Sequence, residues 1–386
     1  PYRNKTRVAL LSSVIVKNDA ISNSIRDKLR ALTENSSAAQ LYDVTAFTTH
    51  SSRLGPHIKL VRSVTEVVLD PVFLSADIHI FEFGVYTELF NAIYCSRPGQ
   101  TKVVHYHNIT PPELVPPEKR VITYKSLEQK VNLLAADQIW CVSEINRMDL
   151  LEYGIAADKL SLLPLPVSFV HQPPPVRSPE RKNRVDLLYV GRLVPSKGIL
   201  DVLRALCALR QTGPLRASLK LVGSPTFSDQ EYISELHSFL AKHDLTGHVQ
   251  FAGEVSDQEL LRCYDEADAL VIPSYHEGFC VPVVEAFSRG RCVIAYDAGN
   301  LPYTLNGLGI TVPTGDIEAL TAAIGNFCQG KLAAWENETE PQISAQRGDF
   351  LESIYMGLAA EYTKQFRYEA FCDNFLKKMA GLSAVI

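Results

Sequence analysis

The sequence predicts an α/β protein built from two doubly wound domains, in which helices cover both faces of a parallel sheet. Short β-branched runs alternate with segments of helical apolar spacing along almost the whole chain, and a proline-rich segment at 163–175 interrupts the alternation once. The length of 386 residues agrees, since a single hydrophobic core stops growing at roughly 250–300 residues. We therefore expect two domains, each with its own apolar interior.

The first half of the chain shows this alternation throughout. Runs of β-branched and aromatic residues predict strands at 7–11, 42–47, 78–81, 102–105 and 138–142. Between them, apolar residues recur every three to four positions, which predicts helices at 22–32, 87–94, 125–136 and 144–153. The prolines of the segment 163–175 cannot continue a helix or a central strand, so this segment is the expected interdomain linker.

The alternation restarts after the linker. Strands are predicted at 185–190, 218–222, 249–251, 269–272, 292–295 and 310–312, and helices at 197–210, 230–242, 257–266, 282–289 and 317–328. From residue 350 onward the pattern is helical without strands, and we expect the last helix to pack back on the first domain. The predicted domains are therefore 1–170 and 171–364, followed by a C-terminal helix at 365–386.

Composition excludes several classes of protein. Hydrophobic residues make up 46% of the chain, but no apolar run is long enough for a transmembrane helix. The net charge of -5 argues against a nucleic-acid-binding protein, while a local basic patch that contacts anionic lipid stays open. The eight cysteines are scattered without a C-x-x-C pair, which indicates thiols in a reducing compartment. We expect a cytoplasmic protein and leave open a peripheral contact with the inner face of the membrane.

Three loops that follow predicted strands carry unusual residues, and in open α/β sheets ligands bind beyond the carboxyl ends of the strands. The first loop, GRLVPSKG at 191–198, opens a helix and places Arg192 and Lys197 beside its N-terminus. Backbone N–H groups and two cations together suit an anion such as a diphosphate. A solvated surface loop is the alternative, and the spacing does not match a P-loop.

The second loop, SYHEGFCVPVVE at 274–285, follows the strand that ends near Pro273. Pro282 suits the first turn of a helix, so we expect Glu285 on that helix near its start and Glu277 in the loop before it. The two carboxylates then flank backbone N–H groups that can hold a phosphate, and a carboxylate can accept hydrogen bonds from the paired hydroxyls of a ribose or sugar. Alternatively, Glu285 is only a first-turn acid that favours the helix dipole.

The third loop, VVHYHNITP at 103–111, carries two histidines at the end of a strand. His105 and His107 are two residues apart, so they share one face if the strand stays regular, whereas a turn beginning after His105 would separate them. His107 lies nearer the carboxyl end of the strand and is the candidate for a hydrogen bond to a sugar hydroxyl or a phosphate. A structural histidine is equally compatible with the pattern.

The segments GRLVPSKG, FAGEVS and EGFCVPVVE, taken in this order, resemble the retaining glycosyltransferases of family 4, the group 1 type, which have the GT-B fold and two glutamates separated by seven residues. The segments HNITPPE and VSEINRMDLLEYG of the first half are similar to that family as well, so the resemblance spans essentially the whole chain. It implies two Rossmann-like domains that face each other across a cleft. The first domain would lie on the acceptor side, and the second would bind a nucleotide sugar.

The resemblance also implies a role for each matched position. Arg192 and Lys197 would bind the donor diphosphate, and Glu285 would hold the nucleotide ribose. Glu277 would contact the transferred sugar, and His107 would lie near the sugar or the leaving phosphate. The backbone amides that would face the phosphate and sugar belong to Gly278, Phe279 and Cys280.

Two features bear on how the donor would be held. Many relatives carry a glycine-rich loop after the first strand, whereas this chain has SSVIVKNDAISNS, in which Lys17, Asn18 and Asp19 are candidates to reach the acceptor or the phosphate. The chain also contains no Asp-x-Asp pair, the usual carboxylate clamp for a metal-bound sugar nucleotide. We therefore expect no metal ion and no bound cofactor besides the donor substrate, with the two cations of the first loop and a helix N-terminus meeting the phosphate charge.

The sequence thus predicts a retaining, metal-independent glycosyltransferase in polysaccharide or glycolipid biosynthesis. Its donor would be GDP-mannose or a UDP-linked hexose, its acceptor a saccharide or a lipid-linked saccharide, and its oligomeric state is open. Retention is implied by the resemblance alone. The alternatives are a sugar-nucleotide epimerase or a phosphorylase on the same fold, or a non-catalytic subunit that binds sugar nucleotides.

Overall fold

Two parallel β-sheets organise the chain, and each belongs to its own unit. The structure, a computed structural model, describes residues 5–16, 19–52, 55–168, 184–225, 228–336 and 344–383. Unit 1 comprises Pro1–Pro166 and Phe366–Ile386, and unit 2 comprises Val167–Gln365. The predicted α/β class with two parallel, Rossmann-like sheets is confirmed. The part of the linker at 169–175 lies outside the described residues.

Unit 1 contains a seven-stranded parallel sheet and a separate short pair of strands. The strands are β1 (Thr6–Leu11), β2 (Val14–Ile15), β3 (Tyr42–Thr48), β4 (His50–Ser51), β5 (Ile58–Leu60), β6 (Ile78–Phe83), β7 (Thr101–Tyr106), β8 (Gln138–Cys141) and β9 (Leu160–Leu162). The sheet order is β5-β3-β1-β6-β7-β8-β9, and β2 pairs with β4. All six residues of β6 are buried, because helices cover both faces of a parallel sheet.

Four helices of unit 1 begin after polar residues whose side chains accept hydrogen bonds from the first backbone N–H groups. The caps are Asp19, Ser63, Asp70 and Ser143. The helices in this part of the chain are α1 (Ala20–Thr33), α2 (Ala38–Leu41), α3 (Val64–Val68), α4 (Pro71–Ser75), α5 (Arg120–Gln129) and α6 (Glu144–Glu152), with longer 3-10 segments at Glu88–Cys95 and Lys130–Ala135.

Unit 2 has a six-stranded parallel sheet. Its strands are β10 (Val185–Val190), β11 (Ala217–Val222), β12 (Val249–Gly253), β13 (Ala269–Ile272), β14 (Cys292–Tyr296) and β15 (Ile310–Val312), in the order β12-β11-β10-β13-β14-β15. The chain builds outward from β10 on one side and then from β13 on the other, which is the doubly wound arrangement. One core cluster contains the buried apolar residues of this sheet and of its helices.

The helices of unit 2 are α7 (Ile199–Thr212), α8 (Gln230–Lys242), α9 (Asp257–Glu266), α10 (Val281–Ser288), α11 (Leu301–Leu305), α12 (Ile317–Glu336) and α13 (Ser344–Thr363). The last helix, α14 (Tyr368–Ser383), belongs to unit 1. Its Phe375 ring packs edge-on against Trp140 at 5.8 Å, and its Tyr368 ring lies 4.0 Å from the Arg30 guanidinium of α1. The α14 helix thus completes the core on one face of the unit 1 sheet.

Helix α5 has its polar residues inside and its apolar residues outside. Ser126 and Gln129 are buried, where Ser126 accepts a hydrogen bond from the Tyr86 N–H at 2.8 Å and Gln129 donates to the Thr87 carbonyl at 2.8 Å. The exposed large apolar residues of α5 and of the 3-10 segment after it are Val121, Ile122, Tyr124, Leu127, Val131 and Leu134. No helix within the described ranges is both long and apolar enough to span a bilayer.

Candidate functional site

The predicted donor loops lie at the point where the strand order of unit 2 reverses. Strands β10 and β13 are neighbours in the sheet, although β11 and β12 separate them in the sequence. The segment 191–198 follows β10, and the segment 273–280 follows β13. In doubly wound sheets, ligands bind at the carboxyl edge beside such a reversal of strand order.

A close backbone approach joins the two loops. Gly198 has φ 64°, and a Cβ atom there would lie 2.0 Å from the carbonyl oxygen of Pro273, so only glycine fits. The Tyr275 N–H donates to the Ser196 carbonyl oxygen at 2.9 Å. The Tyr275 hydroxyl also donates to buried Asp201 at 2.6 Å, which ties the second loop to the first turn of α7. The two loops therefore form one structure.

Lys197 and Glu277 form an ion pair across the two loops, with 2.6 Å between Nζ and Oε1. Their side chains are 17% and 11% exposed, so both charges are largely removed from water. Burial alone would raise the pKa of Glu277, but the charge and the hydrogen bond of Lys197 outweigh it and hold this pKa below its usual value. Glu277 is therefore an ionised carboxylate with one cation directly beside it.

The backbone of Glu277 is held from a third loop. Gly299 has φ 55°, and a Cβ atom there would lie 2.5 Å from the Glu277 carbonyl oxygen. The Asn300 N–H donates to the same oxygen at 2.9 Å. The loop after β14 thus fixes the backbone of Glu277 and leaves the Glu277 side chain out of these contacts.

Arg192 lies in the first loop with an exposed side chain. Its carbonyl oxygen accepts a hydrogen bond of 2.8 Å from the buried Tyr189 hydroxyl, which anchors the backbone. Within the ranges that the structure describes, its guanidinium takes part in no salt bridge. Arg192 can therefore bind an anion without first breaking an ion pair.

The N-terminus of α10 follows directly. Cys280 has φ 69° and ψ 73°, so the chain turns sharply before the helix begins. The Thr304 hydroxyl donates to the Phe279 carbonyl oxygen at 2.6 Å and anchors the turn from outside. As far as the described residues go, the N–H groups of Gly278 and Cys280 donate to no protein acceptor. Such amides at a helix N-terminus suit a phosphate or a sugar oxygen.

Glu285 lies in the second turn of α10, which begins at Val281 directly after the left-handed Cys280. Its side chain is buried and accepts a hydrogen bond of 2.7 Å from the buried Tyr264 hydroxyl. Burial raises the pKa of Glu285 to about 7. The two glutamates therefore differ in charge state: Glu277 is held ionised, whereas Glu285 titrates near neutrality.

His107 belongs to unit 1, immediately after β7. The backbone N–H of His107 donates to the Phe83 carbonyl oxygen at 2.8 Å, so the strand pairing continues to His107. The centroid of its ring lies 4.6 Å from that of the His105 ring. Of the two alternatives, the regular strand is the one observed, and the two histidines lie on one face. His107 Nε2 lies 2.5 Å from a carboxylate oxygen of Glu82, and its side chain is 5% exposed.

Sequence analysis missed several residues around these sites. Glu82 and Lys28 contact each other in the core of unit 1, although 54 positions separate them in the chain. The available signal was an acidic residue in the otherwise apolar strand IHIFEF. Asp201 and Tyr264 support the donor loops of unit 2, and no motif or spacing singles them out.

Two groups of residues that could bind a ligand by their composition are already engaged in contacts within the protein. Glu82, His105 and His107 each offer one ligand atom within 4.8 Å of the others, but the Lys28 ammonium lies 2.6 Å from Glu82 and 2.7 Å from His105 and takes the position of a metal ion. Asp19 caps α1 through hydrogen bonds from Ser22, and the residues at 17 and 18 lie outside the described ranges.

A cavity of about 490 Å³ lies at the amino ends of β10 and β11, at the edge opposite the donor loops. Its charged groups are already paired: Lys220 with Glu266 at 2.9 Å, and Asp186 with the Ser218 hydroxyl at 2.6 Å. Ligands of parallel sheets bind at the other edge, so this cavity is not the candidate site.

Known proteins are similar to this chain over part or most of its length. The family described as "Glycosyl transferases group 1" matches residues 175–340. The O-antigen chain mannosyltransferase B of Escherichia coli is 26% identical over 280 residues, which cover 66% of this chain and 72% of that protein. The glycogen synthase of Mycobacterium tuberculosis is 33% identical over 156 residues, 40% of this chain and only 36% of that enzyme.

Solved structures agree on the fold. Sucrose-phosphate synthase from Thermosynechococcus elongatus superposes with a TM-score of 0.72 at 21% identity, covering 98% of this chain and 99% of that one. The Anabaena protein HepE in complex with UDP and glucose gives a TM-score of 0.64 at 17% identity, with coverages of 97% and 99%. The solved structures show that the chain has the GT-B fold, and residues 175–340 are similar to the group 1 glycosyl transferases.

Proposed function

We propose that this protein is a retaining, metal-independent glycosyltransferase of family 4 that transfers a hexose from a nucleoside diphosphate sugar to a saccharide or lipid-linked saccharide. The observation that carries the proposal is the Lys197–Glu277 pair, with 2.6 Å between the charges, beside the N-terminus of α10. This arrangement offers a cation and helix amides for a diphosphate next to an ionised carboxylate for the sugar.

In the proposed reaction, the bond between the anomeric carbon and the diphosphate oxygen breaks, and the acceptor oxygen bonds to the same face of the sugar. The acceptor proton passes to the leaving phosphate, so no separate base is needed. Arg192, Lys197 and the amides of Gly278 to Cys280 would stabilise the charge that grows on the diphosphate. Glu277 would stabilise the positive character of the sugar ring, and Glu285 would hold the ribose.

Two donors suit the comparisons. The similarity to a mannosyltransferase supports mannose from GDP-mannose, while the fold shared with a protein that binds UDP and glucose keeps a UDP-linked hexose in consideration. A test of the donor must therefore vary both the nucleobase and the sugar.

A panel of sugar nucleotides tests the proposal. At one hundred times its dissociation constant, the correct donor should stabilise the protein by about 2.7 kcal/mol, seen as a rise in melting temperature. The Arg192→Ala variant should lose most of this rise, since a charged hydrogen bond contributes roughly 1.5–3 kcal/mol. Lys242→Ala, an exposed cation on α8, is the matched control and should keep it.

Turnover then separates the alternatives. Release of nucleoside diphosphate that depends on an added acceptor supports a transferase. Conversion of the sugar nucleotide without acceptor indicates an epimerase, and binding without turnover indicates a non-catalytic subunit. Either of these two results would contradict the proposal.

For the membrane contact, we propose that the outward apolar face of α5 rests on a lipid surface. Polar side chains hold this helix to unit 1, while six large apolar residues of the same segment remain exposed. An exposed apolar patch of this kind marks an interaction site. Flotation with phosphatidylcholine vesicles should carry the protein upward, and Leu127→Gln with Leu134→Gln should abolish flotation; a variant that floats like the wild type would exclude this contact.

A further inference from the structure

A cluster of five polar side chains, which includes His107, lies in the core of unit 1. The side chains of Lys28 and Glu82 are 0% exposed, which is costly for two charges unless hydrogen bonds satisfy them fully. The members of the cluster come from α1, β6 and the end of β7: Ser24, Lys28, Glu82, His105 and His107.

The hydrogen atoms of the cluster can be assigned one by one, starting from His105. Its Nε2 lies 2.9 Å from the carbonyl oxygen of Leu163, which only accepts, so His105 carries a hydrogen on Nε2 and a lone pair on Nδ1. Burial and then the nearby Lys28 charge lower the pKa of His105 to about 3, and the ring is neutral.

Lys28 has three acceptors within reach. Its Nζ lies 2.5 Å from Ser24 Oγ, 2.6 Å from Glu82 Oε1 and 2.7 Å from His105 Nδ1. Three acceptors match the three N–H groups of an ammonium ion. Lys28 is therefore charged and has no hydrogen left to donate.

Glu82 is the centre of the cluster. Burial alone would raise its pKa, but the Lys28 charge and the hydrogen bond from His107 hold the pKa well below the usual value. Its Oε2 atom accepts from the Ser24 hydroxyl at 3.2 Å and lies 2.5 Å from His107 Nε2. Because a carboxylate only accepts, the hydrogen of His107 must be on Nε2.

We infer that Glu82 is a positioning residue for His107: with Lys28 beside it, Glu82 holds His107 in the Nε2–H form and leaves Nδ1 as the free acceptor. Only the part that His107 plays in transfer rests on the proposed function, since the hydrogen assignment follows from unit 1 alone. In enzymes where a histidine acts on the substrate, the carboxylate behind it fixes tautomer and orientation, and its loss reduces activity strongly.

The hydrogen assignment can be measured without an activity assay. In ¹⁵N-labelled wild-type protein above pH 8, long-range spectra of the imidazole nitrogens should show His107 with a protonated Nε2 and a bare Nδ1. His107→Gln identifies the signal by its loss. His79, whose Nε2 lies 2.9 Å from the Phe73 carbonyl, is an internal reference of the same form. A hydrogen on His107 Nδ1, or a mixture of both forms, would overturn the inference.

The functional consequence needs a variant that leaves no buried charge unpaired. Lys28→Met combined with Glu82→Gln removes both charges, and the amide at position 82 can donate as well as accept. We expect a mixture of His107 tautomers and a fall in kcat of about tenfold or more. The matched control is the double variant Lys130→Met with Asp149→Asn. It removes another ion pair of unit 1, in which the ammonium of the buried Lys130 lies 2.8 Å from the Asp149 carboxylate, and it should keep both the His107 tautomer and kcat.

The outcomes separate the inference from the proposed function. A folded double variant with wild-type kcat, or one in which His107 stays in the Nε2–H form, shows that Glu82 does not position His107. Should the double variant not fold, the wild-type spectrum still decides the hydrogen assignment on which the inference depends. A wild-type protein that transfers no sugar contradicts the proposed function and leaves the spectrum unaffected.

Discussion

Seven residues separate Glu277, in the loop after β13, from Glu285 on α10, and the two glutamates occupy different environments. Glu277 is paired with Lys197 and stays ionised, while Glu285 is buried next to the Tyr264 hydroxyl with its pKa raised to about 7. Glu277 therefore offers a permanent negative charge. Glu285 can change its charge when hydroxyls of a ligand approach.

The difference predicts that their amide variants fail in different ways. Glu277→Gln should lower kcat strongly and change the donor KM modestly, because its charge acts on the positive sugar ring of the transition state. Glu285→Gln should instead raise the donor KM, because ribose contacts are the same in ground and transition states. Steady-state kinetics of both variants measures this, and an exchange of the two patterns would refute the assigned roles.

Glu285 also predicts a dependence of stability on pH. Its pKa in the folded protein, about 7, lies above the ordinary 4.5, so between these values the folded state holds a proton that the unfolded chain has lost. The contribution of Glu285 to stability is therefore complete below about pH 4.5 and is lost as the pH rises through about 7. Its loss amounts to roughly 3 kcal/mol at most.

Melting temperatures of the wild type and of Glu285→Gln at pH 5 and pH 8 test this effect. The wild type should lose several degrees relative to the variant on going to pH 8, because the amide does not titrate. All other groups titrate in both proteins and cancel. If the difference in melting temperature is equal at the two pH values, the raised pKa is wrong.

At the residue scale, sequence patterns located side chains on loops better than side chains in the core. Glu277 and Lys197 follow strand ends and were chosen for that reason, and the structure brings them into contact. Glu82 and Lys28 were missed because only tertiary packing joins them. The sharp turn before α10 depends on the backbone of Cys280, and no propensity rule places a cysteine in a left-handed conformation.

At the scale of elements, the close backbone approach at Gly198 joins the loops after β10 and β13. It predicts that a methyl group added at position 198 lowers the stability of the protein sharply. Gly198→Ala would force a left-handed alanine whose Cβ lies 2.0 Å from the Pro273 oxygen. The backbone must shift, and we expect a loss of roughly 2–4 kcal/mol together with weaker nucleotide binding.

Gly330→Ala in α12 is the control for this prediction. The glycine is exposed, and a Cβ atom there meets nothing within 4 Å, so the change should stabilise the helix by roughly 0.5–1 kcal/mol. Thermal unfolding of both variants compares them directly. Equal melting temperatures for the two variants would mean that the backbone at Gly198 has more room beside the Pro273 carbonyl oxygen than the structure shows.

Strands with strong patterns were predicted to the residue, whereas weak ones were not. The predicted strands at 185–190, 269–272 and 310–312 match β10, β13 and β15. The three-residue edge strands β5 and β9 were missed, although β15, equally short and also at an edge, was predicted. The helix predicted at 125–136 begins at residue 120 and becomes 3-10 after 129, and its apolar spacing marks an exposed face, not the core.

At the scale of the molecule, the proposed chemistry predicts that chelators leave activity unchanged. The diphosphate charge would be met by Arg192, Lys197 and helix amides, and Glu82, the carboxylate that lies close to His105 and His107, is already paired with the Lys28 ammonium. Sugar transfer with and without EDTA measures this. Loss of turnover that magnesium or manganese restores would require a metal in the donor site.

Unit 1 consists of two stretches of chain with all of unit 2 between them, and this order has a consequence for synthesis on the ribosome. Phe371 and Phe375 of α14 belong to the same core as Val8 and Trp140, which are made far earlier. Unit 2 spans about 200 residues, which takes roughly 10–40 s to translate at 5–20 residues per second. During that time nascent unit 1 exposes the apolar face that α14 later covers. We therefore expect the yield of folded protein to depend on chaperones that shield this face during synthesis.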